Sequence, residues 1–182
     1  LQGRVGWKLL DDGYEVSASK LGMSTPVHTL QPADFLLRYR GKSGARPPRG
    51  EFQANALDIE PLIALADHLP FAPALRKEFE SYAPRGSLYD VAAKWTGQWP
   101  QPQQYSVKAR FVNVGLNAAG RLPGLASVSG SVDGTERGGT LLLTSQNAKV
   151  ELPLIFQDKL EFETLTAQAG WQRTGEQYDI RL

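Results

Sequence analysis

Cysteine is absent from this sequence of 182 residues, and histidine occurs only at His28 and His68. Without cysteine there are no disulfides, cysteine-ligated zinc sites, iron–sulfur clusters or thiol nucleophiles. Two histidines far apart in the sequence make a poor metal site. The sequence therefore predicts no metal and no other cofactor.

The sequence also has almost no excess charge, since 20 Lys and Arg face 19 Asp and Glu. A nucleic-acid partner is not expected, because no basic block marks a phosphate-binding surface. Hydrophobic runs are short, and none reaches the roughly 18 residues that a membrane-spanning helix needs. A starting Met and a signal segment are missing as well, so we expect a piece of a longer protein.

Alternation of apolar and polar residues is the main pattern that is present, as in the stretch from Tyr105 to Phe111. This period of two is typical of strands with one buried and one solvated face. Turn signals lie between such stretches, at Asp11-Asp12-Gly13 and where Asp133-Gly134 and Gly138-Gly139 bound a turn. The fold class that follows is mainly β, a long antiparallel sheet.

One part of the sequence, 58–82, has a helical pattern instead. Asp58 can cap a helix that begins near Pro61 and ends at Pro70, and a second short helix can begin at Pro73. We therefore divide a single β-rich segment, 1–182, into N-terminal strands (1–57), a helical insertion (58–82) and further strands (83–182).

Cations accumulate between Leu36 and Gly50, where glycine and proline interrupt the sequence. This composition predicts an exposed basic loop after a short strand, and a solvated loop is favoured over a site for an anionic partner. The cations are Arg38, Arg40, Lys42, Arg46 and Arg49.

A short pattern occurs near both ends of the sequence. Gly6-Trp7 is followed by Tyr14-x-Val16, and Gly170-Trp171 by Tyr178-x-Ile180, with the same spacing. The match predicts two equivalent hairpins in a repetitive β-architecture that continues past both ends. The strand edges at the two ends of this segment favour edge-to-edge self-association.

The sequence gives little support for catalytic residues. No G-x-S-x-G motif accompanies the histidines, and the paired carboxylates lie in turns or on solvated strand positions. The carboxylate pairs are Asp11/Asp12, Asp133/Glu136 and Glu161/Glu163. We therefore expect no enzyme. Carbohydrate binding stays open, because ring faces of the four tryptophans can stack on sugars.

A second binding surface can come from the strands themselves, because an apolar sheet face that is not covered binds apolar molecules. The candidate lining residues are Val107, Ala109, Phe111, Leu152, Leu154, Phe156, Leu165, Ala167, Ala169 and Trp171. Periodicity alone does not distinguish such a surface from the closed core of a structural domain.

Several segments of the sequence, in this order and spacing, resemble YhdP-like proteins of the AsmA-like superfamily. They cover most of the chain, from about 55 to 171, whereas the preceding residues match more loosely. The segments are Asn55 to Leu62, Gly86 to Val91, Trp95 to Pro100, Tyr105 to Phe111, Leu122 to Leu125, Val128 to Gly139 and Val150 to Phe156.

The resemblance implies a long β-rich protein of the Gram-negative cell envelope, held in the inner membrane by an N-terminal helix and otherwise periplasmic. It implies an open hydrophobic groove that conducts phospholipids between the inner and outer membranes. Phospholipid acyl chains would then be the partners of this segment, and membranes would be contacted through regions outside it. The family supplies no catalytic residues, so its working part would be a surface.

Overall fold

A computed structural model describes residues 2–24, 29–66, 81–98, 101–119, 123–153, 158–175 and 177–181. In this part of the chain the strands follow one another along a single ten-stranded sheet, and each pairs with its neighbours antiparallel. The strands are β1 (Gln2–Leu10), β2 (Gly13–Ser24), β3 (Thr29–Arg40), β4 (Arg49–Asp58), β5 (Arg85–Thr96), β6 (Gln104–Leu116), β7 (Gly124–Thr135), β8 (Gly138–Glu151), β9 (Leu160–Thr174) and β10 (Gln177–Arg181). One helix, α1 (Ile59–Ala66), interrupts them. The predicted mainly β, antiparallel fold class with a short helix is confirmed.

The alternating sequence gives the sheet two faces of opposite character. Residues directly opposite each other on antiparallel strands point to the same face, so the register assigns every strand residue to a face. In β6, for example, Val107 and Ala109 share one face, and Lys108 and Arg110 share the other. We call these the apolar face and the polar face.

The connections that join β1 to β2, β3 to β4, β5 to β6, β7 to β8 and β9 to β10 all lie at one end of the sheet, which we call the hairpin end. The turn at Asp11 and Asp12 lies between β1 and β2 as predicted. The predicted β7–β8 turn was too wide, because Gly134 and Gly139 lie opposite each other inside the strands. A Cβ would stand 2.6 Å from Cζ2 of Trp171 if added at Gly134 and 2.5 Å from it if added at Gly139. These glycines therefore leave room for the indole ring and do not form a turn.

The loop between β3 and β4 is shorter than the basic loop predicted between Leu36 and Gly50. β3 continues through Arg40 and β4 begins at Arg49, which leaves only 41–48 as the connection. Arg38 lies 2.7 Å from a carboxylate oxygen of Glu15, and Arg40 lies 2.8 Å from Asp12. A carboxylate of β2 and one of the β1–β2 turn thus hold in the sheet two arginines that were predicted to lie in a solvated loop.

Helix α1 begins at Ile59, slightly before the predicted start at Pro61. It contacts β3, β4 and β5. The carboxylate of Asp58, at the end of β4, accepts a 2.8 Å hydrogen bond from the hydroxyl of Ser87. The predicted stop at Pro70 and the start of the second helix at Pro73 lie outside the described residues.

A line of irregular backbone crosses the sheet about midway along the strands, and we call it the bulge line. Non-glycine residues with left-handed backbone lie on it, with φ from 51 to 56°. They are Lys20, Asp90, Asn113, Ser127 and Asn147. Register shifts accompany most of them, as expected of β-bulges.

Side chains replace lost ladder hydrogen bonds along the bulge line. The N–H of Asn113 donates to the hydroxyl of Ser129 and the N–H of Ser129 to that of Ser145, both at 2.9 Å. On the other half of the sheet, the N–H of Lys20 donates to Asp34 at 2.7 Å, and that of Asp34 donates to Asn55 at 2.8 Å. Polar side chains here satisfy backbone groups of an otherwise apolar region.

The described residues enclose little core. Their buried apolar side chains are all small, namely Ala18, Ala33, Ala54, Val91, Ala109, Val128 and Ala148. Phe35, Phe52, Leu57, Leu88 and Val132 are only partly buried against the cluster of Ala54, Val91 and Ala109. The architecture of this part is an open single sheet and not a closed sandwich.

Candidate functional site

The apolar face carries a row of directly opposed residues that crosses every strand. No charged or polar side chain interrupts this row. In strand order its residues are Trp7, Val16, Leu37, Phe52, Ala93, Val107, Gly134, Gly139, Trp171 and Ile180.

Two further rows lie beside it, farther from the hairpin end, each displaced by about 7 Å along the strands. The second row consists of Val5, Ala18, Phe35, Ala54, Val91, Ala109, Val132, Leu141 and Ala169. The third consists of Leu57, Leu88, Phe111, Gly130, Leu143 and Ala167. Ten strands at about 4.8 Å spacing make this surface on the order of 45 Å long.

Most of the predicted lining residues meet in this surface. The three rows contain Val107, Ala109, Phe111, Ala167, Ala169 and Trp171. Leu165 lies opposite Ser145 on the same face. Leu152 follows the end of β8 at Glu151, so strand alternation does not reach it. The predicted positions Leu154 and Phe156 lie outside the described residues.

The half of the surface that β1 to β5 supply was not predicted from the sequence. Phe35 and Leu37 belong to it, but Leu36 between them lies on the polar face opposite Gln53. Three successive apolar residues conceal the period of two. The pairing of Trp7 with Val16 was available as a signal, because it matches Trp171 with Ile180.

The polar face carries ion pairs between neighbouring strands. Arg38 bridges Glu15 at 2.7 Å and Glu51 at 3.5 Å, and Lys94 lies 3.4 Å from Glu51. These pairs tie β2, β3, β4 and β5 together on the side away from the apolar rows. Such partly solvated pairs are individually worth about 0–1 kcal/mol, so their main effect is to give the two faces opposite chemistry.

Four of the six carboxylates considered for catalysis have structural partners, and Asp12 is one of them through Arg40. Asp133 lies 3.4 Å from Lys108, and Glu161 lies 2.7 Å from Lys149. Glu136 accepts a 3.0 Å hydrogen bond from the backbone N–H of Tyr105, and this bond is the main cause that lowers the pKa of Glu136. Within the described part of the chain, no group of three or more potential ligands is placed to hold a metal ion.

Tryptophan and tyrosine concentrate near the hairpin end of the apolar face. A row at this end contains Leu9, Tyr14, Tyr39, Gly50, Trp95 and Tyr105. The Trp7 ring stacks on Tyr14 with centroids 5.6 Å apart, and Tyr14 contacts Tyr39 at the same distance. Trp99 lies outside the described residues.

No helix in the described ranges combines the length and apolar character needed to cross a bilayer. Searches of curated proteins and of solved structures each gave no significant match. A family model described as YhdP protein matches residues 1–182, which is the whole sequence. This match confirms the resemblance to YhdP-like proteins of the AsmA-like superfamily. A ten-stranded open sheet whose apolar face carries one uninterrupted row of apolar residues is thus the form that this sequence takes as a member of the YhdP family.

Proposed function

We propose that this chain is a section of a periplasmic conduit that carries phospholipids between the inner and outer membranes. Its apolar face would hold the acyl chains, and no enzyme chemistry is involved. The observation that carries the proposal is the uninterrupted apolar row from Trp7 to Ile180 across ten strands.

The energetics of acyl chains suit such a surface. Each CH₂ group removed from water contributes about 0.8 kcal/mol, without any need for directional contacts. Binding sites that repeat along the surface allow movement, because no single position holds the chain much more tightly than the next. The apolar rows repeat in this way, whereas the ion pairs lie on the polar face.

Family membership supports the location. YhdP-like proteins are expected to be envelope proteins held in the inner membrane by a region outside this segment, with the rest in the periplasm. Transport between two membranes also requires a longer surface than the roughly 45 Å of this sheet. The chain would therefore be one section of the path.

Adjacent leucines of β8 offer a matched test. Leu143 lies in the third apolar row, whereas Leu142 points to the polar face opposite Ser131 and Gln168. Leu143→Asp places a charge where acyl chains would lie, and Leu142→Asp places the same charge on the other side. We expect the wild type and Leu142→Asp to retain phospholipid after purification from a bacterial host, and Leu143→Asp to lose most of it.

Native mass spectrometry and lipid extraction would measure the bound phospholipid, with circular dichroism to confirm that each variant is folded. A lipid-free wild type, or equal lipid in both variants, would contradict the proposal.

Carbohydrate binding is the second candidate, favoured by the exposed Trp7, of which 66% is accessible. One of its ring faces is already covered by Tyr14. Trp7→Leu separates the two functions, because leucine preserves an apolar row but cannot stack on a sugar. Retained phospholipid in this variant supports the conduit, whereas glycan binding by the wild type that Trp7→Leu abolishes supports the alternative.

A further inference from the structure

The two ends of the strands carry different kinds of side chain. An amphiphile bound to the apolar face would therefore have one preferred orientation along the strands. Tyr14, Tyr39, Trp95 and Tyr105 form a row at the hairpin end of the apolar face. Of the four described phenylalanines, Phe35, Phe52 and Phe111 lie in the inner rows, and Phe162 lies still farther from the hairpin end, opposite Ala148. Three tyrosines and Trp95 thus lie at the margin, whereas the phenylalanines lie farther inside, as do Trp7 and Trp171 of the first row.

Such a segregation is typical of side chains at a boundary between hydrocarbon and water. Tyrosine and tryptophan prefer the headgroup level of a bilayer because one part of the ring system is apolar and another can hydrogen-bond. We call the row Tyr14, Tyr39, Trp95 and Tyr105 the aromatic rim.

Charge is distributed with the same asymmetry. The described cations at the hairpin end are Arg40, Lys42, Arg46, Arg49, Arg137 and Arg173, against Asp11, Asp12 and Glu136. Lys42, Arg46 and Arg49 are exposed, and no described acidic side chain forms an ion pair with them.

The opposite end of the strands shows a different pattern. There, Lys149 pairs with Glu161 at 2.7 Å and Lys159 pairs with Glu151 at 2.9 Å. These two cations are therefore neutralised by nearby carboxylates, in contrast to those of the 41–48 connection and Arg49.

A recess of about 590 Å³ lies at the hairpin end of β3 to β6. Arg40, Arg49, Trp95 and Tyr105 are among its lining residues. The register places Arg40 and Arg49 on the polar face with Glu51 and Lys94, which also line the recess, so these guanidinium groups reach a phosphate at the aromatic rim only around the ends of the strands.

The distance from the aromatic rim to the bulge line also fits a lipid. Tyr14 of the aromatic rim and Lys20 of the bulge line are six residues apart on β2, which corresponds to about 20 Å of strand. The hydrocarbon of one membrane leaflet is about 15 Å thick. An acyl chain that starts at the aromatic rim and lies along the strand would contact Val107, Ala109 and Phe111.

From these observations we propose that phospholipids lie on this sheet with their phosphate headgroups at the hairpin end and their acyl chains directed toward the bulge line. The inference rests on the proposed function and adds to it the orientation of the lipid. Lipids in this arrangement would stand side by side across the sheet, with every headgroup at the hairpin end and those on β2 to β6 beside the aromatic rim.

Photo-crosslinking tests this orientation with two phosphatidylglycerol probes, one with a diazirine on the headgroup and one with a diazirine in the middle of an acyl chain. Peptide mapping by mass spectrometry would locate each crosslink on the wild-type chain. We expect the headgroup probe to label Tyr39, Lys42, Arg49 or Tyr105, and the acyl probe to label Ala109, Phe111 or Leu143.

Two results would overturn the inference in distinguishable ways. If the acyl probe labels the apolar face but the headgroup probe labels the opposite end, around Leu125 and Leu160, the orientation is wrong and the proposed function stands. If the acyl probe does not label the apolar face, both the orientation and the proposed function fail.

Charge reversal provides a matched second measurement. The triple variant K42E/R46E/R49E reverses three cations at the hairpin end, and R85E/K149E/K159E makes the same change in charge at the other end. We expect the first to weaken headgroup labelling by about tenfold or more and the second to have little effect, because basic residues attract anionic headgroups at short range. Equal losses in both variants would contradict the role of the hairpin end.

Discussion

Ser145 is a polar residue on the apolar face, and only 1% of it is exposed. Its hydroxyl oxygen accepts a hydrogen bond from the N–H of Ser129 at 2.9 Å, and its hydroxyl also lies 3.1 Å from the carbonyl oxygen of Ser129. Both backbone groups lose ladder partners at the irregularity between β7 and β8. A serine therefore stabilises the backbone here without presenting a polar group to a lipid.

Ser145→Ala should lower the free energy of unfolding by about 1–3 kcal/mol, because two backbone groups of Ser129 lose their side-chain partner in a buried place. Chemical denaturation would measure the change. Ser106→Ala is the control, since Ser106 is exposed and its replacement should stay within about 0.5 kcal/mol of the wild type. Equal effects of the two substitutions would show that the bond to Ser129 contributes nothing net.

At the scale of the strand, glycine makes room for indole rings. Gly50 on β4 lies directly opposite Trp95 on β5, and a Cβ at Gly50 would overlap the ring of Trp95. Gly134 and Gly139 stand in the same relation to Trp171. These pairs let large rings lie flat across neighbouring strands, which keeps the apolar face smooth.

Gly50→Ala should therefore destabilise the sheet by about 1–3 kcal/mol, because the Trp95 ring must leave its place. Gly170→Ala is the matched control, since the nearest heavy atom to a Cβ there is 3.9 Å away. In a double-mutant cycle measured by denaturation, we expect the penalty of Gly50→Ala to shrink when Trp95 is already alanine. An unchanged penalty would mean that backbone conformation, and not the ring, requires glycine at this position.

Strand existence and order were predictable from the sequence, but the local exceptions were not. Alternation around Val107 and the turn at Asp11 gave the antiparallel meander directly. The bulge line was missed because a left-handed residue such as Asn113 shifts the alternation by one residue, which in a sequence is indistinguishable from a strand end. Arg38 was misplaced because its carboxylate partners, Glu15 and Glu51, come from other strands.

The existence of an apolar surface was predictable from the sequence, but only some of the residues that form it were. Positions such as Ala167 and Ala169 follow from a clean period of two on β9. The aromatic rim was not predicted, since Tyr14, Tyr39 and Tyr105 become neighbours only through the registers of separate strand pairs.

For the whole sheet, the first and last hairpins are equivalent in structure as well as in sequence. Trp7 pairs with Val16 as Trp171 pairs with Ile180, and Leu9 pairs with Tyr14 as Arg173 pairs with Tyr178. The outer edges of β1 and β10 have no strand partner among the described residues. Exposed apolar residues lie along both edges, including Trp7 at 66% and Ile180 at 70%.

An unpaired edge with apolar side chains is a template for another strand, so we expect lipid-free copies of this chain to associate head to tail through β10 and β1. If the apolar row continues across the joint, Ile180 of one copy lies opposite Trp7 of the next. On the polar face the same register places Asp179 opposite Lys8, which continues the pattern of cross-strand ion pairs.

The pair of Lys8 and Asp179 allows a specific test of this association, measured by analytical ultracentrifugation over a range of concentrations. Lys8→Asp would place two carboxylates opposite each other and should weaken association by about three- to tenfold, whereas Lys8→Asp combined with Asp179→Lys should restore it. Trp7→Lys should abolish association, because a lysine on an edge strand opposes pairing. A wild type that stays monomeric at every concentration, or a charge swap no better than the single change, would show that the edges of β10 and β1 do not pair in this register.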